Sequence, residues 1–107
     1  MWTGRPRAPF TARMFLLLLH YDDGVHGELD ALIPEHYEYV DRHMKAGTFL
    51  LTARRDPRVG GVILADGTDR ERIEAITAED PFLRTGGVRY EIIAIEPTRS
   101  ALAGITV

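Results

Sequence analysis

The stretch Leu32-Ile33-Pro34-Glu35-His36-Tyr37-Glu38-Tyr39-Val40 has the residue spacing of an amphipathic helix. Within it, Ile33 and Val40 share one stripe with Leu29 and Met44, and His36 falls inside that stripe. We therefore expect a helix that turns one histidine toward the interior of the protein. Such a histidine is either a core residue satisfied by a hydrogen bond or a group placed for proton transfer.

Strand patterns and a second helix pattern surround this helix. Short apolar runs between turn residues predict four strands, at 14–21, 49–53, 59–65 and 88–95. Helical spacing predicts helices at about 28–46 and 69–78, and Thr68 with Glu71 fits a capping box for the second. The order β-α-β-β-α-β predicts a ferredoxin-like α+β fold. In such a fold, two helices cover one face of a four-stranded antiparallel sheet.

Several residues carry local expectations. Pro34 lies near the start of the first helix, where it is either tolerated or marks a break. The pair Gly60-Gly61 in the third strand predicts a bulge or a close backbone approach. Tyr37 is expected in the core, and His43, two helical turns after His36, at the surface or in an interface.

The 107 residues are enough for one domain. Residues 1–13 contain two prolines and show no periodicity, which predicts a flexible N-terminal extension. Residues 14–97 form the predicted domain, and residues 98–107 an arm or a further edge strand. Strands one and four are apolar on both sides, so the sheet face opposite the helices needs a cover. We expect a second copy there, which gives a sheet-to-sheet homodimer, a dimeric α/β barrel.

Composition excludes several classes of function. The net charge is −3 with both signs interspersed, which argues against the clustered basic face of a nucleic-acid-binding protein. The absence of cysteine excludes disulfides and thiol catalysis. The apolar run Met14–Leu19 is too short for a membrane span or a signal peptide. We therefore interpret the protein as soluble and cytoplasmic, without a nucleic-acid or membrane partner.

Six segments follow one another in an order found in one protein family: Phe15–His20, Leu32–His36, Asp41–Gly47, Gly60–Leu64, Ala78–Phe82 and Tyr90–Ile92. Over about residues 14–97, the chain thereby resembles the YCII-related (YciI-like) proteins, within the dimeric α/β-barrel group. The resemblance implies an active site in a cleft between helix and sheet, at the positions of His36 and Asp80. Family members often have Ser/Ala-Gly-Pro after strand two, whereas this chain has Thr52-Ala53-Arg54-Arg55. The rim of the pocket therefore differs.

His36 is the candidate general base, because imidazole titrates near neutral pH. Asp80, hydrogen-bonded to the other ring nitrogen, would fix the tautomer and stabilise the imidazolium. An aspartate before Pro81 is equally typical of an N-cap, here for a short turn over 82–85. The two roles are compatible, since one carboxylate oxygen can cap while the other meets the histidine.

The remaining candidates concern binding. His20 and Tyr21 end the first strand and are candidates for substrate binding at the pocket mouth. Arg54, followed by Arg55, is either part of a solvated turn or a rim group that attracts an anionic substrate. The four histidines lack the spacing of metal ligands, and no glycine-rich phosphate motif is present. We therefore expect neither a metal site nor a cofactor.

Three functions follow from these residues and from the resemblance. The first is a cofactor-free small-molecule enzyme in which His36 and Asp80 perform acid–base chemistry of a lyase, isomerase or hydrolase kind. The second is a non-catalytic module that binds a metabolite or regulates through it, which the arginine-bearing rim would suit. The third is a cofactor-free monooxygenase or haem-handling protein, which rests on fold analogy alone.

Overall fold

A computed structural model describes residues 14–67, 69–103, 105 and 107. Its strands are β1 Met14–Tyr21, β2 Phe49–Arg54, β3 Gly60–Asp66 and β4 Val88–Ile95. Its helices are α1 His26–Lys45 and α2 Arg70–Thr77, and a 3-10 turn at Pro81–Thr85 precedes β4. The predicted extension at residues 1–13 lies outside the described residues, as does Thr68. The N-cap of α2 is Asp69, whose carboxylate accepts the N–H of Glu71 at 3.0 Å.

The four strands form one antiparallel sheet in the order β2-β3-β1-β4. With the two helices, this arrangement confirms the predicted ferredoxin-like α+β fold. β1 lies in the middle of the sheet, paired along its length with both β3 and β4. The apolar run that begins the described chain is thus the central strand, and its ladder groups are satisfied on both sides.

The core lies between the sheet and the helices. Alternate residues of β1, namely Phe15, Leu17 and Leu19, are buried there with Leu29 of α1 and Ile73 of α2. These side chains belong to one continuous cluster, which fixes α1 across the sheet and so sets which of its residues face the strands.

The prediction for Tyr37 is wrong. Its side chain is 48% exposed, whereas Tyr39 is 1% exposed and lies in the core. Tyr39 follows His36 by three positions and therefore shares its face of α1, whereas Tyr37 is about 100° further round the helix. The placement of Pro34 near the start of the helix is wrong, because α1 begins at His26 and Pro34 lies inside it. α1 is continuous at this proline, so the break that the sequence also allowed is absent.

Close backbone approach explains the glycine pair in β3. A Cβ atom on Gly60 would overlap the carbonyl oxygen of Leu19 in the neighbouring strand. A Cβ atom on Gly61 would lie 3.3 Å from the carbonyl oxygen of Ala53. The expectation of a close approach is confirmed, and it brings the end of β3 against β1 and β2 beside the cavity described below.

The sheet face away from the helices is apolar over much of β1, β3 and β4, with His20, Arg89 and Glu91 at one end. Its apolar side chains alternate with the core residues along three strands and are partly exposed: Leu16, Leu18, Val62, Leu64, Ile93 and Ile95. The described residues that follow Ile95 form turns and bends rather than a strand. Within the residues that the structure describes, neither α1 nor α2 is long and apolar enough to cross a membrane.

Candidate functional site

His36 and Asp80 meet between α1 and the turn that precedes β4. His36 Nδ1 lies 2.8 Å from Asp80 Oδ1, close enough for the imidazole N–H to donate to the carboxylate. α1 presents the histidine because residue 36 falls on its inward stripe. Asp80 is held by its place as N-cap of the turn Pro81–Thr85, where Oδ1 also accepts the N–H of Phe82 at 2.9 Å. One oxygen therefore serves both partners, where the sequence predicted one oxygen for each.

The second oxygen of Asp80 is bound by a tyrosine that sequence reasoning missed. The hydroxyl of Tyr90 donates to Oδ2 at 2.6 Å, and the hydroxyl of Tyr39 lies 3.4 Å from that of Tyr90. Burial raises the pKa of Tyr90 well above its ordinary value, and the neighbouring Tyr39 and Asp80 act in the same direction. A neutral Tyr90 hydroxyl therefore remains a donor to the carboxylate across the physiological range.

The imidazole of His36 is also held across its face. The ring of Phe82 stacks on it at a centroid distance of 3.9 Å and an interplanar angle of 3°. With Nδ1–H directed to Asp80, the lone pair of the neutral ring lies on Nε2. No described residue hydrogen-bonds to Nε2, and His36 lines a cavity. The ring nitrogen that faces outward from the pair is thus the one able to accept a proton.

The cavity beside His36 has a volume of about 160 Å³. That volume is close to an apolar cavity of about 150 Å³ that holds benzene. Its apolar lining comes from both helix and sheet, together with the turn: Leu19, Ile33, Val40, Ile63 and Phe82. Its polar lining includes Tyr21, Tyr37, Thr52, Arg54 and Arg58. The site can therefore hold a small molecule with both apolar and polar parts.

The predicted binding residues separate into two groups. Tyr21 and Arg54 line the cavity, whereas His20 does not. Because successive side chains of a strand point to opposite faces, His20 lies on the other face of the sheet. There its Nε2 is 2.9 Å from Glu91 Oε1, and its Nδ1 is 3.5 Å from an Arg55 nitrogen.

Tyr21 and a missed arginine meet at the cavity rim. Burial raises the pKa of Tyr21, an effect that the positive charge of Arg58 partly offsets. Arg58 lies in the turn between β2 and β3, and its guanidinium donates to Asp30 of α1 at 2.9 Å. Nothing in the spacing of the sequence distinguished Arg58 from its charged neighbours, because its place depends on how the hairpin folds back on α1.

Ion pairs tie the Asp80 segment to α1 on both sides of the pair. Glu79 receives hydrogen bonds from His43 at 2.9 Å and from Arg42 at 3.0 Å, which lower its pKa. On the other side, Arg84 donates to Glu35 at 2.6 Å. These contacts join α1, which carries His36, to the residues on either side of Asp80.

His43 belongs to the protein interior more than the sequence suggested. Its side chain is 12% exposed and packs against Phe49 and Tyr39, so the surface alternative is wrong, and the interface alternative stays a prediction. Its Nε2 is satisfied by a hydrogen bond to Glu79. Among the described residues, no group of three or more histidine, cysteine or carboxylate side chains is arranged to hold a metal ion.

The fold and the site together define a class: a ferredoxin-like α+β domain in which a histidine–aspartate pair opens into a small cavity between helix and sheet. A comparison with protein families matches residues 14–96 to the YCII-related domain. This match spans most of the chain, and the protein therefore belongs to the YCII-related family, which confirms the resemblance. A comparison with curated proteins finds no match.

Proposed function

We propose that this protein is a cofactor-free enzyme that transfers a proton to or from a small molecule. The observation that carries the proposal is the 2.8 Å contact between His36 Nδ1 and Asp80 Oδ1 at the wall of a cavity. Nε2 would accept a proton from the bound molecule, and Asp80 would stabilise the imidazolium that forms. Returning the proton to another atom of the same molecule gives an isomerase, and returning it to a leaving group gives a lyase. In a hydrolase, Nε2 would instead take the proton of a water that attacks the substrate and pass it to the leaving group.

The surroundings of the pair support this role. The turn N–H, the imidazole and the Tyr90 hydroxyl all donate to Asp80, which is 2% exposed. A carboxylate with three donors keeps its orientation, and it in turn keeps His36 Nε2 directed away from the pair. Catalysis by a positioned acid or base contributes about 10²–10⁴-fold, which the pair would supply.

The test is a screen of small molecules that carry an acidic C–H or a leaving group, followed by substitutions in the pair. We expect His36→Ala to lower kcat for a validated substrate by about 10²–10⁴-fold. Asp80→Asn should also lower it, because an amide does not stabilise imidazolium and can select the other tautomer. The matched control is His20→Ala, which removes a histidine from the opposite face of the sheet. Full turnover in folded His36→Ala and Asp80→Asn proteins would contradict the mechanism.

The second candidate function is binding of a metabolite without turnover. The observation that favours it is the pair of arginines, Arg54 and Arg58, at the cavity rim. Such groups bind an anion whether or not chemistry follows. A compound that raises Tm in a thermal-shift screen, yet yields no product with the wild-type protein, would support this candidate over the first.

A sheet-to-sheet homodimer is part of the proposal. Its support is the apolar face of β1, β3 and β4, which the helices leave uncovered. A cytoplasmic location is also proposed. This proposal is supported by the place of the apolar run Met14–Leu19, which forms β1, an interior strand of the sheet, and is therefore part of the folded domain.

A further inference from the structure

The charged groups that line the cavity are of one sign. Among the described residues there, the ionised side chains are those of Arg54 and Arg58, and no carboxylate is present. The carboxylate of Asp30, which pairs with Arg58 at 2.9 Å, is outside this lining, so the charged groups that a ligand meets are positive although the chain carries a net charge of −3. A cleft lined by one sign of charge attracts ligands of the opposite sign.

Arg58 is held in place by its surroundings. Its guanidinium donates to Asp30 at 2.9 Å, and its backbone carbonyl accepts the Nε2–H of His26 at 2.7 Å. Both contacts fix the hairpin that follows β2 to the first turns of α1. A guanidinium has five N–H donors, so a single bond to Asp30 leaves others for a ligand.

Much of the remaining cavity lining is apolar. It includes Phe82 and Ile33, and the imidazole of His36 stacks on Phe82. A ligand that matches both kinds of lining has an apolar body and an anionic end. The volume of about 160 Å³ suits a body of about the size of one six-membered ring.

We infer that the cavity takes a small organic carboxylate, with its carboxylate on Arg54 and Arg58 and its apolar part against Phe82 beside His36. This inference deepens the proposed function and depends on it for the role of His36. The paired N–H groups of a guanidinium match a planar carboxylate. Phosphate sites commonly use a nest of free backbone N–H groups, whereas β2 and β3 pair with each other beside this rim.

The test compares matched probes on the full chain. Benzoate, benzamide and phenyl phosphate share one ring and differ in the charged end, and the amide resonance of Gly61 in the cavity wall reports binding by NMR. We expect benzoate to bind more tightly than either of the others. Arg58→Gln and Arg54→Gln should each weaken benzoate by about fivefold or more, and Arg58→Lys by less. The control Arg72→Gln changes an exposed arginine of α2 and should leave benzoate binding unchanged.

Four results would overturn the inference. They are no binding of benzoate, equal binding of benzoate and benzamide, tighter binding of phenyl phosphate than of benzoate, and benzoate binding that neither arginine substitution weakens. The variant His36→Gln separates this inference from the proposed function. If it keeps benzoate binding and substrate turnover, the proposed mechanism fails while the carboxylate site stands. If His36→Gln abolishes turnover while the arginine variants bind benzoate normally, the carboxylate site fails alone.

Discussion

At the scale of single residues, the most constrained group is the carboxylate of Asp80. It is 2% exposed and accepts hydrogen bonds from His36, Phe82 and Tyr90. A buried carboxylate without partners is costly, and three donors offset most of that cost. Each of these partners therefore affects the others through the one group that they share.

Alkaline pH tests the burial of Tyr90. Its pKa is raised well above the ordinary 10.0 in the folded protein, so the unfolded chain loses this proton first as the pH rises. Stability is then full below about pH 10 and declines above it, by at most about 1.4 kcal/mol per pH unit for each such tyrosine. Tyr90→Phe removes one titrating group, and we expect a shallower decline.

The measurement is the free energy of unfolding in urea from about pH 8 to pH 11. Tyr37→Phe is the matched control, because Tyr37 is exposed and should leave the slope unchanged. The same slope in wild type and Tyr90→Phe would contradict the assignment. Tyr39, whose pKa burial also raises, contributes to the decline that remains in the variant.

The sequence identified the pair but not its support. His36 was predictable from helical spacing, and Asp80 was predictable as an N-cap from the Asp-Pro dipeptide, whereas the pairing of the two was implied by the family resemblance. Tyr90 was missed, although it lies on the same face of β4 as Val88 and Ile92. A buried tyrosine hydroxyl needs a hydrogen-bond partner. The signal for Tyr90 was present in the strand pattern, but its partner follows only from the three-dimensional fold.

At the scale of elements, Gly60 controls how closely β3 approaches β1. We expect Gly60→Ala to lower stability by about 1–3 kcal/mol, because its Cβ would overlap the carbonyl oxygen of Leu19. Gly27→Ala is the matched control. Gly27 lies in α1 with no atom within 4 Å of an added Cβ, so alanine should stabilise by about 0.5–1 kcal/mol. Thermal unfolding measures both, and equal Tm values in the two variants would contradict this prediction.

Element boundaries were predictable where the sequence marks them. β1 and β4 end at turn residues, and their observed bounds agree with the predicted ones. α1 starts two residues before the predicted start. Its N-cap is Val25, whose side chain makes no capping hydrogen bond, so no capping residue marked this start. Tertiary packing against the core sets the beginning of α1.

At the scale of the whole molecule, the apolar face of the sheet predicts self-association. We expect light scattering to give about twice the chain mass of 12.0 kDa. Leu16→Glu places a charge at the centre of the face, between Leu64 and Ile93 on the neighbouring strands, and should give a monomer.

Leu102→Glu is the control for this experiment, because Leu102 is 58% exposed and lies outside the sheet. Circular dichroism verifies that each variant keeps its fold. A monomeric wild-type protein at micromolar concentration would contradict the prediction without reference to any variant.

The stacking of Phe82 on His36 has a consequence for the entropy of binding. Asp80 fixes the rotation of the imidazole within its plane, and Phe82, two residues later, fixes its tilt out of that plane. The ring therefore loses its rotamer freedom when the chain folds, before any ligand arrives. A ligand that meets Nε2 has no side-chain disorder of this histidine to overcome, so its affinity depends on its own contacts.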